Sequence, residues 1–269
     1  NSAEVLNSAL DGGINFLDTA ACYNDTEELI GDAVSHRRNE YILATKCGHT
    51  VGDASGQEWS SSVIEDSINR SLKRLQTDYL DLVQLHSCSL HILQRGEVIE
   101  TLEKAKKAGK TRFIGYSGDN MDARWAVDSG YFDTLQTSYN IVDQCARTEG
   151  LFEAARRNRM GVIIKRPVAN GVWGLSASPW SYADEYFRRA QIMKSIGDID
   201  NEPADPLVTA MGFVLARPEV DTVIVGTHNP AHLLGNIDIV DTDIPIPMNV
   251  VEDLYSRFDQ NGIEWTQLI

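Results

Sequence analysis

Short apolar runs of strand length alternate with longer segments of helical periodicity along almost the whole chain, and this alternation restricts the fold more than any other feature. Most of the runs are apolar at consecutive positions, as expected for strands buried on both faces of a parallel sheet. Strands that alternate with helices indicate βαβ units, so the chain is predicted to belong to the α/β class. The predicted strands are Ile14–Thr19, Tyr41–Lys46, Leu80–His86, Phe113–Ser117, Thr134–Ser138, Val162–Arg166 and Thr222–Gly226.

This pattern predicts a (β/α)₈ TIM barrel with one strand too few, since such a barrel closes with eight strands. The sequence opens with a helical segment at Ser2–Leu10, directly before the first predicted strand. The simplest account is that the first β-strand of the barrel is absent from this chain; alternatively, another segment or a second chain fills the gap. A seven-stranded sheet left open would have two unpaired edges, which is unfavourable.

No boundary linker interrupts the alternation, so residues 1–269 are predicted to form a single barrel domain. Two regions depart from the pattern: an aromatic-rich insertion at about 170–204 and a C-terminal tail at about 248–269 that begins with a helix. Their aromatic side chains could pack against the barrel or line a substrate cleft.

Several helix ends can be predicted from local signals. Gly109 follows an apolar helical stripe as a left-handed C′ residue, and Asp205 and Pro206 have the N-cap and N1 order. Ser62 and Glu65 have the spacing of a capping box.

Composition excludes some classes of function. A formal net charge of −15 disfavours nucleic acid and anionic membranes as partners, because both attract basic surfaces. No apolar run reaches the ~18 residues of a membrane span, and no signal segment opens the chain. A cytoplasmic protein with free thiols is therefore expected. The cysteines, which have neither CxxC nor metal-type spacing, are Cys22, Cys47, Cys88 and Cys145.

Polar residues end one predicted strand after another, and in a parallel barrel this end forms the working face. Any one of them could be a helix cap, a rim residue, a loop anchor or a core histidine. Together they are expected to converge on one pocket. They are Asp18, Tyr23 in the loop that follows, Lys46, His86, Ser117, Gln136, Lys165 and Arg166.

These residue types suit acid–base chemistry without a metal or a covalent nucleophile. A lysine beside a tyrosine stabilises the phenolate and lowers the pKa of the hydroxyl from its usual value of ~10. Tyr23 could then exchange a proton with a carbonyl oxygen, while Asp18 holds Lys46 and His86 orients the same oxygen. No side chain supplies a hydride, so the reaction needs a cofactor.

Seven segments of the chain together match the pattern of one known family. They are Asn15–Tyr23, Glu27–Gly31, Ala44–Lys46, Asp81–His86, Ile114–Ser117, Leu135–Asn140 and Val225–Asn236. With these segments the chain resembles the aldo-keto reductase family over nearly its whole length. The resemblance implies that Asp18, Tyr23, Lys46 and His86 are a catalytic tetrad with Tyr23 as proton donor. It implies that Ser117 and Gln136 hold the nicotinamide carboxamide.

Three departures from the family pattern affect the cofactor. Gly118 stands where the family usually has asparagine. In place of a stacking tyrosine, Lys165 or Arg166 would have to cover the nicotinamide ring, or the ring would be held more loosely. His232 stands where many members have arginine, and imidazole is a weaker partner for a 2′-phosphate than guanidinium. The resemblance favours NADP(H), with NAD(H) as the alternative. The expected phosphate-binding residues are Gly226, Thr227, His232 and Asn236.

The function expected from this resemblance is NAD(P)(H)-dependent interconversion of aldehydes or ketones and alcohols, with a small-molecule substrate. One alternative is a cofactor-binding regulatory protein on the same fold, like the potassium-channel β subunits, although such a protein has no need of Tyr23 beside Lys46. Another is a lyase that uses a metal or a Schiff base on Lys46 or Lys165. The sequence pattern offers no third ligand beside Asp18 and His86, so no metal is expected.

Overall fold

The computed structural model describes residues 2–52, 56–241 and 246–268. The chain divides into two compact units, which are described separately. The first consists of Asn1–Leu135 and Gly226–Ile237, and the second of Gln136–Val225 and Asp238–Ile269. No helix among the described residues is long and apolar enough to cross a membrane.

Seven strands occur in the described residues, and their order in the sheet is their order in the chain. All seven predicted strands are found, and most bounds agree within two residues. The last one is wrong in length, since it was expected to reach Gly226. The strands are β1 (Phe16–Asp18), β2 (Ile42–Cys47), β3 (Leu80–His86), β4 (Thr111–Ser117), β5 (Thr134–Ser138), β6 (Gly161–Lys165) and β7 (Thr222–Val223).

Helices alternate with these strands, as the sequence periodicity predicts. A helix also opens the described chain before β1, and another begins the C-terminal tail. The helices are α1 (Ser2–Asp11), α2 (Thr26–Val34), α3 (Ser61–Arg74), α4 (Leu90–Leu93), α5 (Glu97–Lys107), α6 (Asn120–Ser129), α7 (Cys145–Thr148), α8 (Leu151–Arg157), α9 (Asp184–Lys194), α10 (Pro206–Leu215), α11 (Pro230–Asp241) and α12 (Met248–Asn261).

Two of the predicted helix ends are confirmed and one is wrong. Gly109 follows α5 with a φ of +75°, and Asp205 caps α10 by accepting a hydrogen bond from the backbone N–H of Leu207. The capping box at Ser62 is incorrect, because α3 begins earlier and Ser60 accepts from the N–H of Val63 instead. Several serines in succession left the position of this cap ambiguous.

In the first unit, β1 to β4 pair in parallel, which places their carboxyl ends along one edge. The register aligns Lys46 on β2 with Gln84 on β3. It aligns His86, the last residue of β3, with Ser117, the last residue of β4. Because alternate residues of a strand share a face, Gln84 and His86 lie on the same side of the sheet. The polar residues at these strand ends are therefore neighbours.

In the second unit, β6 and β7 pair in parallel, and β6 ends at Lys165 rather than at Arg166. Arg166 has a φ of +56°, which is left-handed and incompatible with an extended strand. The backbone is stabilised there by a hydrogen bond from the side chain of Asn140 to the carbonyl oxygen of Arg166, at 3.0 Å. β6 thus ends in a turn, and a side chain from the loop after β5 stabilises that turn.

The insertion contains α9, and a buried arginine on α12 caps the C-terminal end of this helix. Arg257 donates hydrogen bonds to the carbonyl oxygens of Met193, Gly197 and Asp198 at 2.7–3.0 Å. It also pairs with Asp253 one turn earlier on α12. The guanidinium thus satisfies the carbonyl group of Met193 in the last turn of α9 and those of Gly197 and Asp198 in the segment that follows the helix.

The aromatic residues of the insertion have two different environments. Trp173 and Tyr186 are buried; Trp173 donates to Glu202 at 2.6 Å and Tyr186 to Asp143 at 3.0 Å. Trp180 and Tyr182 are more than half exposed. Trp173 and Tyr186 therefore pack within the second unit and are not exposed in a cleft.

Candidate active site

The first unit contains a buried ion pair at the carboxyl ends of β1 and β2. Lys46 Nζ contacts Asp18 Oδ2, and the exposed fractions of the two side chains are 2% and 7%. The ammonium also donates to the carbonyl oxygen of Thr19 at 2.9 Å, and Gln84 Nε2 donates to Asp18 Oδ1 at 3.3 Å. Partners on several sides hold the lysine in one position, as a buried charge requires.

Tyr23 lies in the loop that follows β1, and its side chain is 44% exposed. Lys46 Nζ lies 5.3 Å from the centroid of its ring. The backbone of this loop is fixed, since Ala21 N donates to the carbonyl oxygen of Lys46 at 3.1 Å and Thr26 donates to that of Tyr23 at 2.6–3.0 Å. The phenol is thus accessible, while its attachment to the sheet is rigid.

His86 lies beside Tyr23, with ring centroids 5.6 Å apart in an edge-to-face arrangement. Its carbonyl oxygen accepts a hydrogen bond from His49 Nε2 at 3.0 Å, and its Nδ1 lies 3.3 Å from the sulfur of Cys22. The next residue, Ser87, has a left-handed φ of +60° and donates its N–H to the carbonyl oxygen of Ser117 at 2.7 Å. The four residues of the predicted tetrad are therefore brought together in the first unit.

Ser117 is buried at the end of β4, and Gly118 follows it under the ring of Tyr116. A Cβ atom at Gly118 would lie 2.6–2.8 Å from the hydroxyl and two ring carbons of Tyr116. Burial raises the pKa of Tyr116, so it keeps its proton and donates to the carbonyl oxygen of Cys88 at 2.9 Å. A side chain at position 118 would therefore collide with Tyr116 unless the ring moves.

The predicted phosphate-binding residues lie in the first unit, in the loop before α11 and in that helix. Asn229 caps the helix, because its Oδ1 accepts from Ala231 N at 3.0 Å, and Thr227 Oγ1 accepts from Asn229 N at 3.1 Å. Gly226 is exposed, and a Cβ atom there would meet no atom within 4 Å. His232 is exposed and Asn236 is half-buried, both on α11. The loop therefore leaves open space at the N-terminal end of a helix.

Gln136, Lys165 and Arg166 belong to the second unit. Gln136 is buried on β5 and Lys165 is half-buried at the end of β6. The guanidinium of Arg166 donates to Ser138 Oγ at 3.2 Å and to Tyr182 Oη at 2.5 Å, and it also contacts the carbonyl oxygen of Leu268 in the C-terminal tail. Arg166 would have to give up contacts of this kind in order to cover a nicotinamide ring.

Two side chains of the tetrad region were missed from the sequence. Gln84 contacts Asp18, and its position two residues before His86 on one strand could have indicated the shared face. His49 was missed because it lies in the loop beyond β2; its ring lies 5.5 Å from that of His86 and 5.0 Å from that of Trp59. Among residues 2–52, 56–241 and 246–268, no group of three or more potential ligands could hold a metal ion.

Comparison with protein families identifies the family of the chain. The model of the aldo/keto reductase family matches residues 1–254, which is most of the chain. The chain belongs to the aldo/keto reductase family. Its predicted α/β class and (β/α)₈-barrel type are thereby confirmed, and its relatives include enzymes named as oxidoreductases.

Individual relatives cover most of the chain as well. It is 31% identical to the uncharacterized oxidoreductase YqkF of Bacillus subtilis, over 87% of this chain and 80% of that protein. It is also 31% identical to the NADH-specific methylglyoxal reductase of Escherichia coli, over 90% of this chain and 85% of that protein. The holo form of aldo-keto reductase AKR11C1 from Bacillus halodurans superposes with a TM-score of 0.79 at 27% identity, covering 95% of this chain and 86% of that one.

Proposed function

We propose that this protein is an NAD(P)(H)-dependent oxidoreductase that reduces aldehydes or ketones to alcohols, or catalyses the reverse reaction, with Tyr23 as the proton donor. One observation carries the proposal. An accessible phenol lies against a buried lysine that an aspartate and a backbone carbonyl hold in place. A protein that only bound a cofactor would have no use for this arrangement.

In the reducing direction, Tyr23 donates the proton of its hydroxyl to the carbonyl oxygen of the substrate. The positive charge of Lys46, whose Nζ lies 5.3 Å from the ring centroid, favours the phenolate that remains. Asp18 acts through Lys46, because its carboxylate fixes the ammonium. His86 lies edge-on to Tyr23 and can donate a hydrogen bond to the same oxygen. A bound nicotinamide dinucleotide supplies the hydride.

The residues that would hold this cofactor fit it chemically. The loop at Gly226 and Thr227 leads into the N-terminus of α11, and a helix N-terminus favours phosphate. Open space at Gly226 lets the backbone approach a ligand closely. His232 and Asn236 follow on α11, and we assign the buried Ser117 and Gln136 to the carboxamide. Lys165 and Arg166 remain the predicted neighbours of the nicotinamide ring.

Two considerations bear on the type of dinucleotide, and they oppose each other. The family pattern favours NADP(H), whereas His232 replaces the guanidinium that would pair with a 2′-phosphate. The relative from Escherichia coli is named as NADH-specific. We propose NADP(H) as the main cofactor, with use of NAD(H) as well. The substrate is a small carbonyl compound or alcohol.

The proposal can be tested by fluorescence titration of the protein with NADPH and with NADH, followed by turnover of a panel of small aldehydes. We expect saturable binding and turnover in the wild type. Tyr23→Phe should bind the cofactor as tightly but lose turnover by about 10²- to 10⁴-fold, which is the usual contribution of a general acid. Unchanged kcat in this variant would exclude Tyr23 as the proton donor. Cofactor binding with no turnover of any carbonyl would favour a regulatory protein.

A further inference from the structure

The thiol of Cys22 lies against the ring of His86, and neither side chain is free to move far. The sulfur is 3.3 Å from Nδ1, within hydrogen-bonding distance for sulfur. Cys22 belongs to the loop that is tied to β2, and the carbonyl oxygen of His86 is held by His49 Nε2 at 3.0 Å. The strained backbone of Ser87 is held in turn by Ser117. The contact between sulfur and imidazole is therefore built into the fold.

The chemistry of the two groups indicates which one donates. A neutral imidazole has one N–H donor and one acceptor nitrogen, whereas a thiol is a weak donor whose sulfur is also a weak acceptor. Burial raises the pKa of the Cys22 thiol, which outweighs the lowering effect of the nearby Lys46 charge. The sulfur consequently retains its proton, and the favourable arrangement is S–H donating to the lone pair of Nδ1.

We propose that Cys22 is a positioning residue that sets the tautomer of His86, keeping Nδ1 unprotonated and the ring proton on Nε2. This inference rests on the proposed function only for its catalytic consequence. The Nε2–H is then the donor that His86 offers to the substrate oxygen. In the other tautomer, Nε2 would present a lone pair to that oxygen and repel it. Cys22 therefore acts on the reaction through His86.

The direct test is the tautomeric state of His86, which can be measured by NMR on protein labelled with ¹⁵N-histidine. The chain has six histidines, and the spectrum of His86→Gln identifies the signals of this one by their loss. We expect the Nε2–H tautomer in the wild type and in Cys22→Ser, since a hydroxyl can also donate. Cys22→Ala should shift the population towards the Nδ1–H form. A wild-type ring protonated on Nδ1, or an unchanged tautomer in Cys22→Ala, would overturn the proposal.

Cys145→Ala provides the matched control, because it removes a buried thiol whose sulfur donates to a backbone carbonyl oxygen, that of Trp265. This variant should leave the His86 signals unchanged. The tautomer is measured without cofactor or substrate, so its outcome does not depend on the proposed reaction. If no carbonyl is turned over but the tautomer responds to Cys22→Ala, the proposed function fails while this inference stands.

Kinetics provide a second readout. A single weak hydrogen bond contributes about 0.5–1.5 kcal/mol, so Cys22→Ala should lower kcat by about 2- to 10-fold. Cofactor affinity should not change, and Cys22→Ser should restore most of the rate. If kcat falls equally in the serine and alanine variants, the volume of the sulfur matters rather than its proton. That result would contradict the proposal.

Discussion

The end of β2 and the end of β6 both carry a basic residue, but the two residues make different kinds of contact. Lys46 is buried, and its charge is matched by the carboxylate of Asp18. Arg166 donates to oxygens of Ser138, Tyr182 and Leu268, the last of them in the C-terminal tail. The first arrangement fixes a charge beside an accessible phenol, whereas the second attaches the tail to β5 and β6. A basic residue at a strand end is thus not sufficient to predict a chemical role.

The largest effect is expected from removing the charge at the end of β2. Lys46→Met should lower the free energy of unfolding by about 3–5 kcal/mol, because it leaves the buried Asp18 carboxylate without its partner. Turnover should fall as well. The double variant Asp18→Asn with Lys46→Met should recover much of the stability but none of the turnover. Equal stability of the single and double variants in urea unfolding would show that the ion pair is not what holds this site.

Arg166→Met should have the next largest effect and should act on the tail. Loss of its hydrogen bonds should cost about 1.5–3 kcal/mol, and limited proteolysis should cleave the C-terminal tail faster. If Arg166 covers the nicotinamide ring as well, the Kd for the cofactor should rise while Lys46→Met leaves it nearly unchanged. If Arg166→Met resists proteolysis normally but binds the cofactor more weakly, Arg166 acts on the cofactor rather than on the C-terminal tail.

Gly118→Asn tests whether the residue usual in the family can be restored. The new Cβ would lie 2.6–2.8 Å from atoms of Tyr116, and overpacking of this kind costs about 1–3 kcal/mol. Gly118→Ala should lose a similar amount, because the conflict arises at Cβ in both variants. A stable asparagine variant with a lower Kd for the cofactor would show that Tyr116 moves aside easily.

His232→Arg should change the choice of dinucleotide without changing the fold. We expect the ratio of kcat/KM for NADPH to that for NADH to rise about tenfold, since guanidinium pairs better with a 2′-phosphate. His228→Arg is the matched control, because it adds the same charge to an exposed residue of the same loop. A similar rise in the control would mean that general charge, rather than position 232, sets the preference.

The smallest effect concerns Glu185 on α9, whose side chain pairs with Arg188 and Arg189. The hydrogen bond from Arg188 is the main reason why the pKa of this carboxyl falls from 4.5 to about 2. Since the folded-state pKa is depressed, the stabilisation is present above pH 4.5 and is lost as the pH falls towards 2. Because the Glu185 side chain is partly exposed to solvent, its ion pairs stabilise the fold by less than about 1 kcal/mol. The difference in unfolding free energy between wild type and Glu185→Gln should therefore shrink between pH 7 and pH 3.5.

The strand order and the meeting of Asp18, Lys46 and His86 could be predicted because parallel strands place their carboxyl ends at one edge. The contacts of Arg166 could not, because its partner Leu268 lies 102 residues away in the sequence. The steric role of Tyr116 against Gly118 also depends on side-chain placement rather than on pattern. The cap at Ser60 was missed for a local reason, since a run of serines offers several equivalent N-caps. The cofactor assignments stay predictions.

The arginine that caps α9 also has a consequence for the order in which the chain folds. One carbonyl group at the end of this helix and two in the segment after it receive donors from Arg257, about sixty residues later in the sequence. During synthesis, these residues emerge long before Arg257 has been made, and water must occupy their hydrogen-bonding positions until then. Such a long-range closure is slow compared with local helix formation. The second unit can therefore reach its final hydrogen bonding only after translation has passed α12.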